Sequence, residues 1–368
     1  MLNVTKSTLT EDNYGEYENL SCQVKHGVNL HPIWIGKYIM AFGYEGKEFL
    51  LEAREQVSGK LCGLLPLVRK DDQESRFVRH RRLVPAGYGP TDFFDIPALP
   101  GCESEVAAGL VTWLVANAGE WDQLMINLIP RETRAWELFV QHLSKSGFRP
   151  TTVSDRNFLR LDTSGLYGRY LDRLGVQKVK ELRYYRNRLG KEGRLEVERI
   201  TSGAAEYFDD FVSAYSSRRA SKLQSDPYTR VAPLYHFIKA VIPEYEKNHW
   251  IRLSVLKLDK KIIAYCYHLV YQNVMYYYMP TILEEYKQFS PGKLLSMELI
   301  KDAFEDRSIK EFNFMRSEYS YKHWFAPSTE PYVTIACSNP RSYRNKALAV
   351  IVSARKARSK IIGKSSVS

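Results

Sequence analysis

The segment 262–324 constrains the fold of this chain more than any other part of it. Two strand-like runs, 262–271 and 274–279, are separated by Gln272-Asn273, a pair that favours a hairpin turn. A Ser-Pro-Gly-Lys turn, an amphipathic helix over about 293–304 and a further strand over 311–315 follow. This order predicts an α/β (α+β) fold in which the helix packs under a sheet.

The length of the chain and its element order predict two domains. A chain of 368 residues exceeds what one hydrophobic core usually supports. The first half shows a similar order of elements, with a hairpin over 49–68, a helix over 105–117, a strand over 123–128 and a helix over 132–146. We predict an N-terminal domain at 1–165, a C-terminal domain at 166–340 and a basic tail at 341–368.

Composition and motifs exclude several classes of protein. No apolar run approaches the roughly 18 residues of a membrane span, and the polar start lacks a signal peptide's apolar segment, so we predict a cytoplasmic protein. The five cysteines stand far apart and the eight histidines are scattered, which predicts neither disulfides nor a metal site. Phosphate-loop, zinc-protease, esterase and dinucleotide-binding motifs are absent from the sequence.

The turn before the 293–304 helix suits an anion. Ser290, Gly292, Lys293 and Leu294 stand where backbone N–H groups and the positive end of the helix dipole favour phosphate. A plain helix start, with Ser290 as its N-cap, is the alternative. The corresponding helix of the first half begins with acidic residues, Glu103 and Glu105. If the halves are duplicates, only the second is expected to bind an anionic donor.

Two motifs in the second half resemble the GNAT-related FemAB/CelD-like acyltransferases. They are SPGKLLSMELIKDAF at 290–304 and FNFMRSEYSYKHW at 312–324. The chain keeps that family's turn, Phe314, Glu318 and the Tyr-Lys pair, but it has Asn313 for the usual Asp and Ser317 for the usual Gly. The resemblance covers about 17–324 and is strongest in the second half.

The resemblance implies two tandem GNAT-like domains, each a mixed central sheet flanked by helices. It also implies an acyl-CoA donor, acetyl-CoA or longer, whose pyrophosphate is expected at the turn 290–294. By this resemblance, the acyl group is expected to pass to an amino group of a sugar nucleotide, a polysaccharide or envelope precursor, or a small metabolite.

The candidate catalytic residues lie after the last strand of this segment. Tyr321 is expected to protonate the departing thiolate, Lys322 to contact an anionic acceptor or donor, and Glu318 to take the proton of the amine. Ordinary alternatives are a packed tyrosine, a hydrated surface lysine and an exposed loop carboxylate. Holding the donor and the amine together can lower the activation barrier by roughly 7–11 kcal/mol, so the reaction does not require a perfectly placed base.

Four further residues are candidates for contacting substrate. His268 lies on the 262–271 strand, Tyr278 in a run of three tyrosines, and Tyr286 just before the turn. Arg218 ends a helix predicted over 204–219, where it either binds an acidic acceptor or complements the helix dipole. Core packing is the alternative for His268 and the tyrosines.

Two basic features carry the net charge of +11. The tail 341–368 holds eight Lys/Arg and no Asp/Glu, and it forms either an interfacial helix on anionic lipid at the inner membrane surface or a solubilising end. Unchanged liposome binding after deletion of 344–368 would rule out the first. A predicted helix over 171–189 has an arginine-rich face, which is either solvated or docks an anionic small-molecule or glycan-precursor acceptor.

Two other functions stay open on the sequence. A FemABX-type aminoacyltransferase would take its acyl group from aminoacyl-tRNA, the one nucleic acid expected as a partner, and extend a peptidoglycan bridge. The chain lacks the long helical hairpin that such enzymes often carry. A non-catalytic GNAT-like subunit of polysaccharide biosynthesis is motivated by Asn313 and Ser317.

Overall fold

The computed structural model describes residues 2–24, 27–75, 78–131, 133–221, 224–229, 232–316, 320–326 and 328–347. The chain divides into two compact units, one formed by Met1–Asp155 with Tyr332–Ser368 and the other by Arg156–Pro331. Glu318 and Ser317 lie outside the described residues, as does most of the predicted basic tail.

The described chain contains both strands and helices in each half. In chain order they are β1 (Leu2–Ser7), α1 (Glu11–Ser21), a 3-10 helix (Gly27–Leu30), α2 (Pro32–Phe42), β2 (Glu48–Glu55), β3 (Leu61–Ser75), β4 (Val78–Pro85), α3 (Glu103–Ala116), β5 (Gln123–Pro130), α4 (Arg134–Lys145), β6 (Arg149–Asp162), α5 (Tyr167–Leu174), α6 (Val176–Leu189), β7 (Leu195–Ile200), a 3-10 helix (Ala204–Tyr207), α7 (Phe208–Ala220), α8 (Pro233–Lys247), β8 (Ile251–Leu258), β9 (Lys261–Tyr271), β10 (Val274–Ile282), a 3-10 helix (Glu284–Phe289), α9 (Pro291–Glu305), β11 (Glu311–Asn313), α10 (Ser320–His323) and β12 (Ser328–Ser338).

The sheets of the two units have the same order of parallel and antiparallel pairs. In the first, the strand order is β1-β2-β3-β4-β5-β12, and β4 and β5 form the parallel pair within an otherwise antiparallel sheet. In the second, the order is β7-β8-β9-β10-β11-β6, with β10 and β11 as the parallel pair. Helix α3 connects one parallel pair and α9 the other. The predicted duplication of the fold is confirmed.

The sheet of the second unit is covered on both faces. Successive side chains of a strand point to opposite faces. On β9, Tyr265 and Tyr267 pack edge-on against Phe211 of α7, whereas Ala264 and Cys266 belong to the core that includes α9. Helices α7 and α9 therefore lie on opposite faces, and nearly the whole of β9 is buried.

The first unit buries a similar core between its sheet and helices α3 and α4. Its other face carries α1, where Glu52 of β2 accepts hydrogen bonds from the Asn13 amide (3.1 Å) and the Tyr17 hydroxyl (2.7 Å). These bonds satisfy a buried carboxylate, which would otherwise cost several kcal/mol to desolvate. Burial and Glu52 both hold the pKa of Tyr17 above its ordinary value.

The hairpin predicted across Gln272-Asn273 is confirmed, and a second hairpin joins β8 to β9. Strands β8 and β9 pair antiparallel, as do β9 and β10. Gln272 and Asn273 both have positive φ, 47° and 63°, as a two-residue turn matching strand twist requires.

The single helix predicted over 171–189 is wrong. The chain forms α5 and α6, which are separated at Gly175 with φ 94° and ψ 147°. Apolar residues continue at helical spacing through this point, so the periodicity conceals the break. A residue with a Cβ rarely adopts that backbone conformation, and glycine is what permits it.

No helix in the described ranges is long and apolar enough to cross a membrane.

Replacement of Gly175 by alanine should destabilise the protein. No atom would block the added Cβ, so the expected cost is backbone strain, roughly 1–3 kcal/mol. The measurement is the free energy of unfolding in urea. Gly168→Ala in α5 is the matched control because it also has open space around it, and it should stabilise by about 0.5–1 kcal/mol. Equal effects of the two substitutions would contradict the strain at Gly175.

Candidate active site

The parallel pairing of β10 and β11 ends after three residues. Val274, Met275 and Tyr276 lie opposite Glu311, Phe312 and Asn313. Beyond Asn313 the chain stays with β6, since the Phe314 N–H donates to Leu159 O at 2.9 Å, while β10 continues along β9 to Ile282. The strands therefore separate, and we call the space between β10 after Tyr276 and residues 314–316 the strand gap.

A β-bulge lies on β10 at the start of the strand gap. Tyr276 pairs with Leu269 and Met279 with Tyr267, so Tyr277 and Tyr278 together lie opposite His268. A bulge adds a residue to one strand and redirects its side chains, which is common beside active sites. Tyr277 is buried with α9 and Tyr278 is half-buried.

Asn313 shapes the other side of the strand gap. Its Oδ1 accepts the Met315 N–H at 2.9 Å, and its Nδ2 donates to Glu311 at 2.9 Å. Met315 has φ of +59°, a left-handed conformation that is uncommon outside glycine. The Asn313 side chain thus supports a turn that takes the chain away from β10.

Lys322 is buried beside this turn. Its ammonium donates to Phe314 O at 2.6 Å and to Arg316 O at 2.7 Å, and the residue is 4% exposed. Hydrogen bonds from a charged group stabilise by roughly 1.5–3 kcal/mol each. The structure gives Lys322 the role of holding the strand end against α10, which places the neighbouring Tyr321 at the strand gap.

Three hydroxyl groups meet at the strand gap. Ser296 Oγ of α9 lies 2.8 Å from the Tyr277 hydroxyl, and the Tyr277 hydroxyl bonds in turn to Tyr321. Ser296 Oγ is also 2.8 Å from Gly292 O. Tyr277 and Ser296 are buried, and the Tyr277 ring packs against Phe314. This Tyr321–Tyr277–Ser296 chain joins α10, β10 and the first turns of α9.

The chain of hydroxyls has two proton arrangements. A carbonyl can only accept, and a hydroxyl has one proton to give. When Ser296 donates to Gly292 O, Tyr321 donates to Tyr277, which donates to Ser296. When Ser296 donates to Tyr277, Tyr277 donates to Tyr321. The second arrangement stabilises an ionised Tyr321, and burial first and Tyr321 second keep the pKa of Tyr277 well above 10.

The first turn of α9 offers fewer backbone N–H groups to an anion than the sequence predicts. The N–H groups of Lys293 and Leu294 both donate to Ser290 O, at 3.0 and 3.3 Å. Ser290 has φ of 52°, and its side chain does not cap the helix. The N–H of Gly292 has no acceptor in the described part of the chain. A Cβ at Gly292 would lie 3.2 Å from Ile282, so the glycine also permits close packing against β10.

Cations and aromatic rings surround this turn. Lys293 Nζ bonds to Glu181 Oε1 of α6 at 2.7 Å and lies 4.9 Å from the Trp324 ring centroid. Lys178 Nζ bonds to Trp324 O at 2.6 Å and lies 5.2 Å from the same ring. Trp324 is therefore flanked by two ammonium groups, which creates a positive surface beside the start of α9.

The predicted substrate residues are distributed around the second unit. His268 is buried opposite the bulge, where burial lowers its pKa to about 4, so its imidazole is neutral near pH 7. Tyr286 lies in the 3-10 helix before α9, with Lys261 Nζ 5.3 Å from its ring centroid. Arg218 is half-buried in the last turn of α7. Tyr278 is the one that adjoins the strand gap, since His268 lies on β9, on the other side of β10.

The corresponding region of the first unit is closed. Strands β4 and β5 pair through only two residues, and the loop that follows β4 then returns to β5, where the Phe94 N–H donates to Leu128 O at 3.2 Å. Phe93 and Phe94 are buried there, and α3 begins with Glu103 and Glu105. In this unit, therefore, residues of the loop after β4 pair with β5 beyond the point where the β4–β5 ladder ends.

The described residues contain no group of three or more His, Cys, Asp or Glu side chains arranged to hold a metal ion.

Comparison with known proteins agrees with this geometry. Residues 177–323 match the family model of the acetyltransferase (GNAT) domain. FemX has 10% identity and a TM-score of 0.61, covering 90% of this chain and 96% of that one. A conserved protein of unknown function from Bacteroides thetaiotaomicron has 11% identity and a TM-score of 0.56, covering 92% of this chain and 100% of that one.

A third similar structure is the C-terminal domain (DUF2156) of a predicted lysylphosphatidylglycerol synthetase from Agrobacterium fabrum. It has 12% identity and a TM-score of 0.54, covering 92% of this chain and 94% of that domain. No curated protein matches the chain by sequence. Residues 177–323 are thus similar to a GNAT acetyltransferase domain, and the chain has the two-domain, GNAT-related FemAB-like fold that the sequence predicted. The likeness to CelD stays a prediction.

Sequence patterns do not identify Tyr277 and Ser296 as functional residues. Tyr277 belongs to a run of three tyrosines that gives no sign of which one reaches the strand gap. Ser296 is a polar residue on the apolar face of α9, between Leu295 and Met297 and four residues after Gly292. A hydroxyl on a buried helix face needs a hydrogen-bond partner, and this requirement is the one sequence signal that points to Ser296.

The buried His268 should make stability sensitive to acid. Its pKa is about 4 when folded and about 6.5 when unfolded, so the unfolded chain binds the proton first. The stability from the neutral imidazole is full above pH 6.5 and is lost as pH falls toward 4. The loss is about 3 kcal/mol, at about 1.4 kcal/mol per pKa unit. His268→Gln should flatten this pH dependence, measured by melting temperature between pH 7 and 4; an unchanged slope would contradict the assignment.

Proposed function

We propose that the protein is an acyl-CoA-dependent N-acyltransferase and that the strand gap holds the thioester. The observation that carries this proposal is the end of the ladder at Tyr276 and Asn313 between β10 and β11, the two strands that α9 connects. The edge of β10 past Tyr276 is not paired with β11, so its peptide groups can bond to an extended chain of amides. A pantetheine arm has that character.

The turn 290–294 would receive the pyrophosphate of the donor. Support comes from the Gly292 N–H, the dipole of α9 and the ammonium groups of Lys293 and Lys178. Lys293 already neutralises Glu181, so the local excess of positive charge is smaller than the sequence suggests.

The chemistry follows from placing an amine and a thioester together. The neutral amine attacks the carbonyl carbon, the C–S bond breaks, and the thiolate takes a proton from Tyr321 while the amine's extra proton passes to water or to Glu318. The Tyr321–Tyr277–Ser296 chain then stabilises the tyrosinate, because Ser296 can turn its proton from Gly292 O to Tyr277. Solvent returns the proton to Tyr321.

The acceptor that we propose is an amino group on a sugar nucleotide, a polysaccharide or envelope precursor, or a small metabolite. An anionic acceptor suits the basic surface of α5 and α6, where Arg169, Arg173 and Lys180 are exposed. Peripheral contact of the basic tail with anionic lipid stays a proposal, since residues 348–368 are not among the residues that the structure describes.

Donor binding is testable by native mass spectrometry. The protein should retain acetyl-CoA or a longer acyl-CoA, and Lys293→Glu should weaken binding by roughly ten-fold, which corresponds to about 1.4 kcal/mol. Lys310→Glu is the matched control, since Lys310 is exposed and lies beyond the C-terminus of α9. If no acyl-CoA binds and Lys293→Glu changes nothing, the donor assignment fails. Acyl transfer from aminoacyl-tRNA at low salt would favour the FemABX alternative instead.

Tyr321→Phe should lower kcat by about 10²- to 10⁴-fold with little change in KM for the donor. Ser296→Ala should have a smaller effect in the same direction because it removes the second proton arrangement. The assay follows release of free thiol and the mass shift of each amine in a panel of acceptors. Tyr184→Phe on the exposed face of α6 controls for loss of a phenol. Full kcat in Tyr321→Phe would remove Tyr321 from the mechanism.

A further inference from the structure

The second unit contains a cavity that the proposed reaction does not use. Its volume is about 280 Å³, and it lies among α5, α6, α9, β7 and β8. We call it the α6–α9 cavity. Tyr277, Ser296 and Tyr321 are not among its lining residues; it runs instead along the side of α9 from Leu294 to Lys301.

The walls of the α6–α9 cavity are aliphatic. They are formed from three helices and two strands by Leu171, Val179, Leu182, Val197, Leu256 and Met297. Leu171, Val179 and Val197 are half-buried rather than buried, so apolar surface remains in contact with water in the described structure. Covering such surface contributes about 25 cal/mol per Å².

The rim of the cavity is charged, and most of its charges are neutralised. Glu298 pairs with Arg186 at 3.1 Å, Glu196 with Arg194 at 2.8 Å, and Lys301 with Glu305 at 3.7 Å. Arg183 also stands on the rim, and no carboxylate of the described residues lies within ion-pair distance of it. The rim therefore offers an exposed guanidinium, which is suited to binding a carboxylate through two parallel hydrogen bonds.

We infer that the α6–α9 cavity binds a single-chain aliphatic carboxylate, with the chain against the aliphatic walls and the carboxylate on Arg183. A cationic segment is disfavoured by the excess positive charge of the rim. A bulky ligand is disfavoured by the volume, which is at the lower end of small-molecule sites. This site is separate from the strand gap and does not depend on the proposed acyl transfer.

The test uses straight-chain carboxylates from six to twelve carbons, each below its micelle concentration, with titration calorimetry on the full-length protein. Each added CH₂ should tighten binding about four-fold until the cavity is filled, because burial of one CH₂ contributes about 0.8 kcal/mol. An alkylammonium ion of equal length should bind much more weakly. Binding that does not vary with chain length, or equal binding of the ammonium ion, would overturn the inference.

Two variants test the contact of the ligand's carboxylate and the contact of its aliphatic chain separately. Arg183→Glu should weaken the carboxylate at every length by at least ten-fold, whereas Lys180→Glu, an equal charge change on α6 outside the cavity, should not. Val179→Trp should shorten the chain length at which affinity stops rising, because it fills the cavity from a half-buried position. Melting temperatures close to wild type establish folding of each variant. A similar loss in Lys180→Glu would show a general charge effect and overturn the role of Arg183.

Discussion

The separation of β10 from β11 is the constraint on which the second unit depends. Where a ladder ends inside a protein, the backbone groups that it leaves must find other partners. The Asn313 side chain bonds to the Met315 N–H, and the buried ammonium of Lys322 bonds to Phe314 O and Arg316 O. These contacts hold the strand end in place and bring α10 to the strand gap. Tyr321 meets Tyr277 there because its neighbour in sequence is fixed to the backbone of the preceding strand end.

The same order of strand pairs in the first unit has a different outcome. The loop after β4 returns to β5 and buries Phe93 and Phe94, so side chains of the protein cover the edge that would otherwise be open. Helix α3 then begins with two glutamates, which suit the helix dipole without an anionic ligand. One fold therefore occurs twice in this chain with two different loops after the fourth strand, and in the described structure the second unit keeps the gap.

The sequence predicted the order of elements better than it predicted the environment of individual side chains. The hairpin, the turn 290–294 and the duplicated order of elements follow from local sequence patterns, which the folded structure retains. Lys322 illustrates the limit, because lysine is among the residues least often buried and nothing near it in the sequence shows that two carbonyls converge on its ammonium. Gly175 illustrates another limit, since apolar spacing continues across a break that only the backbone angle reveals. The link from Ser296 to Tyr277 is a long-range contact that no local pattern specifies.

Asn313 stands where the similar acyltransferases usually have an aspartate, and its contacts explain why this difference is compatible with activity. At this position the side-chain oxygen accepts the Met315 N–H, and either an aspartate or an asparagine can supply that oxygen. The amide additionally donates to Glu311, a bond that a carboxylate could not make, and so removes a repulsion between two acidic groups. Asparagine therefore preserves the turn that opens the strand gap. Since the turn places Tyr321 through Lys322, the substitution is compatible with an intact site, and it no longer favours a non-catalytic subunit over an enzyme.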